Sequence, residues 1–294
     1  MTEIVQELVN GVSLGSTYAL LALGLAMVFS ILGLINFAHG ELVTIGGYTM
    51  WTLFNHHVWW PAVLVLTLVA TTLAAVAMER IAFRPLRGAS ISTLLITSFA
   101  ISFFIQVAFQ IFVSAEPQGI GVPDWTDTVW HVGSISLPAV KLVTFAVTVG
   151  AVLLLTVFLR RTLLGVAMRA AAEDFDVVRL MGIRANAVVV AAFALSGLLA
   201  GIAALLFFAS APGVDSGVGT PLVINAFIGV ILGGLGNLYG AVVGGFVLGL
   251  ATSLLDANLH GTLTQFSQAF ALAIVVGILL LRPQGLIGRT EGLT

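Results

Sequence analysis

Polar residues in this chain come in short clusters that separate long apolar runs, and those runs show no alternation. Leu142 to Leu159 and Val188 to Phe208 are such runs, with no apolar–polar alternation. A membrane-crossing helix needs about 20 apolar residues to cover a hydrocarbon core of about 30 Å. A barrel strand would alternate over about ten positions, and no other structure satisfies its backbone groups in lipid. The pattern therefore predicts helices, in nine segments: 8–35, 42–58, 61–79, 91–113, 139–159, 187–209, 221–236, 240–256 and 265–281. The fold expected is all-α, a polytopic membrane helix bundle of about nine transmembrane segments in one domain over 1–294. The count ranges from eight to ten because Gly233, Gly234, Gly236 and Gly240 interrupt 221–256, which reads equally as two spans or as broken half-helices. The first segment is not expected to be a cleavable signal: Glu3 and Glu7 stand where a signal is basic, and its apolar run is too long.

Composition removes whole function classes. Of 294 residues, 59% are hydrophobic and only 8% charged, with a mean hydropathy of +1.13. Soluble domains carry about 25% charged residues, so a soluble enzyme is excluded. A net charge of -2 without a basic tract excludes nucleic-acid binding, and the absence of cysteine removes disulfides and thiolate chemistry. The arginines fall into three clusters: Arg80, Arg84 and Arg87; Arg160, Arg161, Arg169, Arg179 and Arg184; Arg282 and Arg289. Basic residues stay on the cytoplasmic side. With all three clusters inside, nine spans place the N-terminus in the periplasm and the C-terminus in the cytoplasm. Lys141 and the acidic outer loop, about 114–138, then lie outside. Trp125 and Trp130 in that loop suit an interfacial anchor or a surface for a delivery protein.

Three polar features interrupt the apolar pattern. On span four, Ser98, Ser102, Gln106 and Gln110 recur every four residues and share one helix face. Facing lipid they would be unsatisfied, so they either bond to a neighbouring helix or line a solute path. In the first hairpin, Asn36, His39 and Glu41 gather at the predicted inner end. Metal binding is unfavourable, because residues two apart on a helix diverge and His56 and His57 sit at the opposite face; no metal is expected. Capping and pinning of the hairpin is favoured, with a proton relay as second reading. The third feature is a cytoplasmic loop at about 160–186, where Ala170, Ala171, Ala172 and Glu173 favour helix and Gly182 favours its end. Phe175, Val178 and Met181 give it one apolar face, while Glu173, Asp174 and Asp176 disfavour an anionic leaflet. That combination suits docking on a protein. Small-residue spacings at Gly11/Gly15, Gly197/Gly201, Gly229/Gly233, Gly240/Gly244 and Gly245/Gly249 predict close helix contacts. Leu32-Gly33…Gly40 and Leu232-Gly233…Gly240 share a spacing, over too few positions to establish a duplication.

The chain lacks a phosphate-binding Gly-x-x-x-x-Gly-Lys loop, so energy from ATP would come from another subunit. Four ordered blocks are specific. They are Leu20-Leu-Ala-Leu-Gly24 with Ile31 through Glu41; Glu79 through Arg87; Gly165 through Asp174 with Gly182 and Ile183; and Gly233 through Ala241 with Leu281 through Gly288. Together they resemble the branched-chain amino acid ABC transporter permeases, the LivH type, over nearly the whole sequence. The resemblance implies a multi-pass inner-membrane permease that is not an enzyme and binds no cofactor itself. It implies two ABC ATPase subunits carrying ATP and Mg, a periplasmic binding protein, and a second permease, either a LivM-like relative or another copy. In such systems the segment matching 165–184 couples to the ATPase, which assigns that role to Gly165, Arg169, Ala171, Glu173, Asp174, Phe175, Val178 and Gly182. Family members also carry urea or short amides, which keeps those solutes as the alternative. An ion-coupled secondary transporter is a more distant alternative, because every predicted span centre lacks Asp, Glu, Lys and Arg. An intramembrane enzyme finds no catalytic constellation.

Overall fold

The computed structural model describes residues 2–132, 135–259 and 266–287. The predicted Arg289 and Gly288 lie outside them, as do the side chains of Glu3 and Asp176. Every predicted segment coincides with a helix, in most cases to within two or three residues at each end. In order these are α1 (Thr2–Leu32), α2 (Gly40–Asn55), α3 (Trp60–Met78), α4 (Ile91–Phe112) and α5 (Ala139–Arg161). Two short helices follow, α6 (Leu163–Glu173) and α7 (Phe175–Leu180), then α8 (Ala185–Ser210), α9 (Gly219–Gly233), α10 (Leu238–Asn258) and α11 (Ser267–Leu281). Among the described residues six helices are long and apolar enough to cross a membrane: those built on α1, α3, α4, α5, α8 and α10. The all-α expectation is amended only in the loops. There β1 (Gln118–Gly119) pairs with β4 (Gly213–Val214), and β2 (Val129–Val132) with β3 (Ile135–Pro138), both antiparallel.

Helix α1 is the central post. Its most apolar stretch is 83% buried, against 11% for α4, the lowest of the six, so α4 is the span most open to lipid or a partner. The predicted glycine pairs explain how α1 is enclosed. Gly249 lies so close to α1 that a Cβ there would fall 2.2 Å from Gly15 Cα, and one at Gly245 would fall 2.6 Å from Ala19 Cα. Gly229 and Gly233 of α9 meet Gly244 and Gly240 of α10 in the same manner, and Gly197 and Gly201 of α8 pack on Thr71 of α3. Close backbone approach maximises dispersion contact where no hydrophobic force joins helices. The broken 221–256 region is thus a tight antiparallel hairpin, with Gly234 (φ 110°) ending α9 in a conformation that only glycine adopts readily.

The arginine clusters gather at one end. Arg87 bonds to the buried Glu79 and to Asn186 at the start of α8, and Arg160 to Tyr239 at the start of α10. The 282–287 segment reaches the same end, where Leu286 N–H donates to Leu232 O (2.8 Å) and Ile287 N–H to Gly233 O (3.1 Å). At the opposite end lie the strands, with Gln6 bonded to Ser136 and Lys141 to Asn10.

A buried polar site where two helix N-termini meet

The first hairpin departs from its predicted shape. After Gly33 (φ 63°) the chain does not start a new helix at the arginine end. It re-enters the bundle through a 3₁₀ turn, Phe37–His39, and the His39 ring rests against Gly24, two turns back along α1 from Leu32. Helix α2 therefore begins inside the bundle. Helix α9, entered from the strand end through the 211–218 loop, which holds β4 and a turn at Asp215, begins there too. Their first residues touch: a Cβ on Gly40 would lie 2.2 Å from Gly219 O, and one on Gly219 would lie 2.4 Å from Gly40 O. From that point α2 runs toward the strands and α9 toward the arginines. Two positive helix ends thus converge inside the bundle.

Glu41, second residue of α2, stands at this junction and is fully buried. Its Oε1 accepts from Ser102 Oγ and Gln106 Nε2, each at 2.8 Å. Gln106 Nε2 also lies 2.8 Å from Thr220 Oγ1 of α9, and Gln110 Nε2 donates to Ser216 Oγ at 2.9 Å. Ser98 bonds within its own helix to Leu95 O, at 2.8 Å, and reaches Ile35 O at 3.4 Å. Two residues of the span-four stripe, Ser102 and Gln106, therefore share one hydrogen-bonded cluster with the hairpin acid and Thr220, in a seam between α2, α4 and α9; Gln110 meets the loop before α9 and Ser98 stays on backbone carbonyls. Ser102 is close to the midpoint of α4, so Glu41 sits near the middle of that span. This corrects the expectation that Glu41 marks the inner end and that span centres lack acids. The re-entrant turn carries it inward, a displacement that no hydrophobicity pattern records.

Asn36 and His39 do not cap. Neither makes a side-chain cap bond at the helix start it precedes; instead His39 Nδ1 lies 3.1 Å from Ser196 Oγ of α8, which pins the turn between α1 and α8. Sequence reasoning missed Thr44, Tyr48, Ser216 and Thr220. For the first two a signal existed, since Glu41, Thr44 and Tyr48 recur at three and four residues on one face of α2. Glu41 Oε2, Thr44 Oγ1 and Tyr48 OH are all buried with no hydrogen-bond partner on another helix among the described residues, the Thr44 hydroxyl lying beside the Glu41 carboxylate one turn on along α2. Each such atom costs about 1–3 kcal/mol unless something meets it, and three of the nine found among the described residues lie along this one face. Stacked aromatics bracket the seam. Phe37 lies on Phe99 (4.3 Å between centroids) toward the arginines, and Tyr48 on Phe109 (4.2 Å) toward the strands.

The cytoplasmic-loop expectation also changes. The single amphipathic helix is two helices broken at Asp174 (φ -153°, ψ 106°), whose Oδ1 accepts from Val177 N–H at 3.0 Å and starts α7. Thr162 caps α6 through Gly165 N–H at 3.0 Å, and Gly165 itself packs on the end of α5. Ala171 and Val178 face the chain's own core, and Phe175 is half-buried. The predicted apolar face of Phe175, Val178 and Met181 is thus divided; in α7 and the turn after it Val177, Leu180 and Met181 are exposed, as are Leu163, Leu164 and Val166 of α6. Arg169, Glu173 and Asp174 are exposed, and Gly182 (φ 77°) ends the segment in the left-handed conformation. Among the described residues no cluster of His, Asp or Glu is suited to a metal.

A multi-pass bundle with irregular backbone and a polar seam at mid-depth has the construction of a membrane transport protein. The profile described as "Branched-chain amino acid transport system / permease component" matches residues 7–281. The chain belongs to that family, and is a permease component rather than an enzyme. It is 34% identical to the high-affinity branched-chain amino acid transport system permease protein BraD of Pseudomonas aeruginosa, covering 97% of this chain and 96% of that one. It is 33% identical to LivH, the permease protein of the same name in Escherichia coli K12, with the same coverage. A probable branched-chain amino acid transport permease of Methanocaldococcus jannaschii is 29% identical over 92% of this chain and 88% of its own. No solved structure matches the chain.

Proposed function

We propose that this chain is the permease subunit of an ABC importer for branched-chain amino acids in the bacterial inner membrane, and that solute crosses along the seam of α2, α4 and α9. The observation that carries the path is the row of buried polar atoms on α2, Glu41 Oε2, Thr44 Oγ1 and Tyr48 OH, that no other helix satisfies, beside the polar side chains of α4 and α9. A zwitterionic amino acid supplies an ammonium for the free oxygen of Glu41, and urea or an amide does not. The stacked pairs Phe37–Phe99 and Tyr48–Phe109 then close the path on either side of the solute. The whole chain acts as one permease domain of nine segments, N-terminus periplasmic and C-terminus cytoplasmic. A periplasmic binding protein delivers solute at the strand end and the outer loop. A second permease, a LivM-like relative or another copy, covers α4, and ATP and Mg stay on two ATPase subunits.

The chain contains no cysteine, which makes the path directly testable. Thr44→Cys in the assembled transporter is expected to react with a water-soluble thiol reagent during turnover, and leucine is expected to slow the reaction. Thr148→Cys, equally buried but on α5, is expected to stay unreactive. Equal labelling at both positions, or no protection by leucine, would remove the path from this seam.

For coupling, α7 is the docking element, through Val177, Leu180 and Met181 rather than Val178. Leu180 and Met181 are 87% and 72% exposed, so replacing both with Asp spares the fold. The expected result is an intact permease that no longer retains ATPase subunits on purification. Retention at the wild-type level would place docking elsewhere.

A further inference from the structure

At the arginine end, well away from the seam, a cavity of about 140 Å³ opens between α1, α5, α6 and α10. Its walls are mainly apolar, formed by Leu23, Val152, Leu155, Leu159 and Val242, with Thr156 the one polar side chain among them. Its rim is not. Arg160, in the last turn of α5, and Arg169, in α6, both line it together with Tyr239 of α10. Arg160 Nη2 donates to Tyr239 OH at 3.2 Å, which leaves the phenol its own hydrogen to give. Neither arginine has a carboxylate within salt-bridge distance among the described residues, whereas Arg87 of the same end is paired with Glu79.

Two unpaired guanidiniums and a phenol donor at the mouth of an apolar cleft call for an anion with an apolar tail. Guanidinium matches phosphate oxygens in a bidentate manner and is weakly hydrated. A free carboxylate or a protein loop would use the rim and leave the walls empty. A hydrocarbon chain alone would use the walls and leave the charges unmet. The cleft lies at the end of a spanning helix, where the headgroups of one leaflet lie, and basic pockets between spanning helices at that level hold anionic headgroups. We propose that this cleft binds an anionic phospholipid, its phosphate between Arg160 and Arg169 and an acyl chain along Leu23, Val152 and Val242. Such a lipid bridges α5 to α6 and so fixes the start of the 160–186 segment to the bundle. The binding is independent of which solute is carried.

The test uses the assembled transporter in nanodiscs of phosphatidylcholine doped with phosphatidylglycerol, extracted and examined by native mass spectrometry for retained lipid. Wild type is expected to keep phosphatidylglycerol over phosphatidylcholine. The double variant Arg160→Gln with Arg169→Gln is expected to lose about tenfold of that retention, and Tyr239→Phe a smaller part. Because Tyr239→Phe removes one oxygen only, it keeps the experiment readable if the double variant fails to assemble. Equal retention of both lipids, or unchanged retention in both variants, would overturn the proposal. Displacement of the lipid by millimolar inorganic phosphate would assign the site to a free anion and overturn it likewise.

Discussion

Uptake by Glu41→Gln is expected to fall at least about thirtyfold at low solute concentration while the amount of assembled transporter stays unchanged. The two halves of that statement have separate causes. Glutamine keeps the shape and one acceptor oxygen, so Ser102 and Gln106 retain a partner on α2. Removing a carboxylate buried without a cation close by is neutral or favourable for the fold. Transport moves the other way. Truncating one side of a buried hydrogen-bonded charge pair costs about 2–5 kcal/mol, and among the described residues Glu41 is the only acid buried between α2, α4 and α9. Initial-rate leucine uptake into proteoliposomes, normalised to the permease present, reads the first half; immunoblotting of the complex reads the second. Wild-type uptake by Glu41→Gln would mean that the acid serves packing alone. A Leu at the same position extends the comparison: it strips both acceptors, so Gln106 retains only Thr220 and Ser102, and assembly is then expected to suffer as well.

The segments were legible because apolar runs of membrane length leave little alternative to helix. The glycine pairs were legible as contacts, since small residues four apart define a helix face and that face needs another backbone. The polar stripe on α4 was legible as a face but not as a site. Its partners, Glu41 on α2 and Thr220 on α9, come from segments distant in the chain, and only the head-to-head meeting at Gly40 and Gly219 joins them. The depth of Glu41 was misplaced for a related reason. Asn36 and His39 look like caps in sequence, yet the turn that contains them is swallowed by the bundle, with His39 against Gly24 and Ser196. With Glu41 buried near the middle of a span, acid-free span centres no longer count against ion coupling. Family membership now carries the distinction instead.

The α7 surface shows the opposite error. Three-residue spacing proposed one face from Phe175 to Met181, and the chain satisfied the helix signals on either side of it. The break came from Asp174, whose short side chain bonds forward to Val177 N–H and so starts a new helix in place of continuing the old one. A residue with its own hydrogen bond to offer the backbone outweighs a run of good helix formers when the gain is one cap.

The contact that encloses α1 sets the second large effect. Gly249→Ala adds a single methyl at a point 2.2 Å from Gly15 Cα and 3.0 Å from Gly11 O, where only backbone of α1 is in the way. No side chain there can rotate aside. The helices must separate, and every contact along Gly11, Gly15, Gly245 and Gly249 weakens together. Overpacking of a tight contact typically costs about 1–3 kcal/mol and more when backbone must move. Gly150 of α5 provides the internal control: nothing lies within 4 Å of a Cβ there. Glycine inside a helix is less favourable than alanine by about 0.5–1 kcal/mol, so Gly150→Ala is expected to stabilise slightly. The same chemical change should therefore shift the thermal midpoint of the extracted transporter in opposite directions, with Gly249→Ala also lowering the amount that reaches the membrane. Equal midpoints for the two variants would mean that α1 and α10 do not meet through their glycines, and the junction that those helices hold around Glu41 would lose its frame.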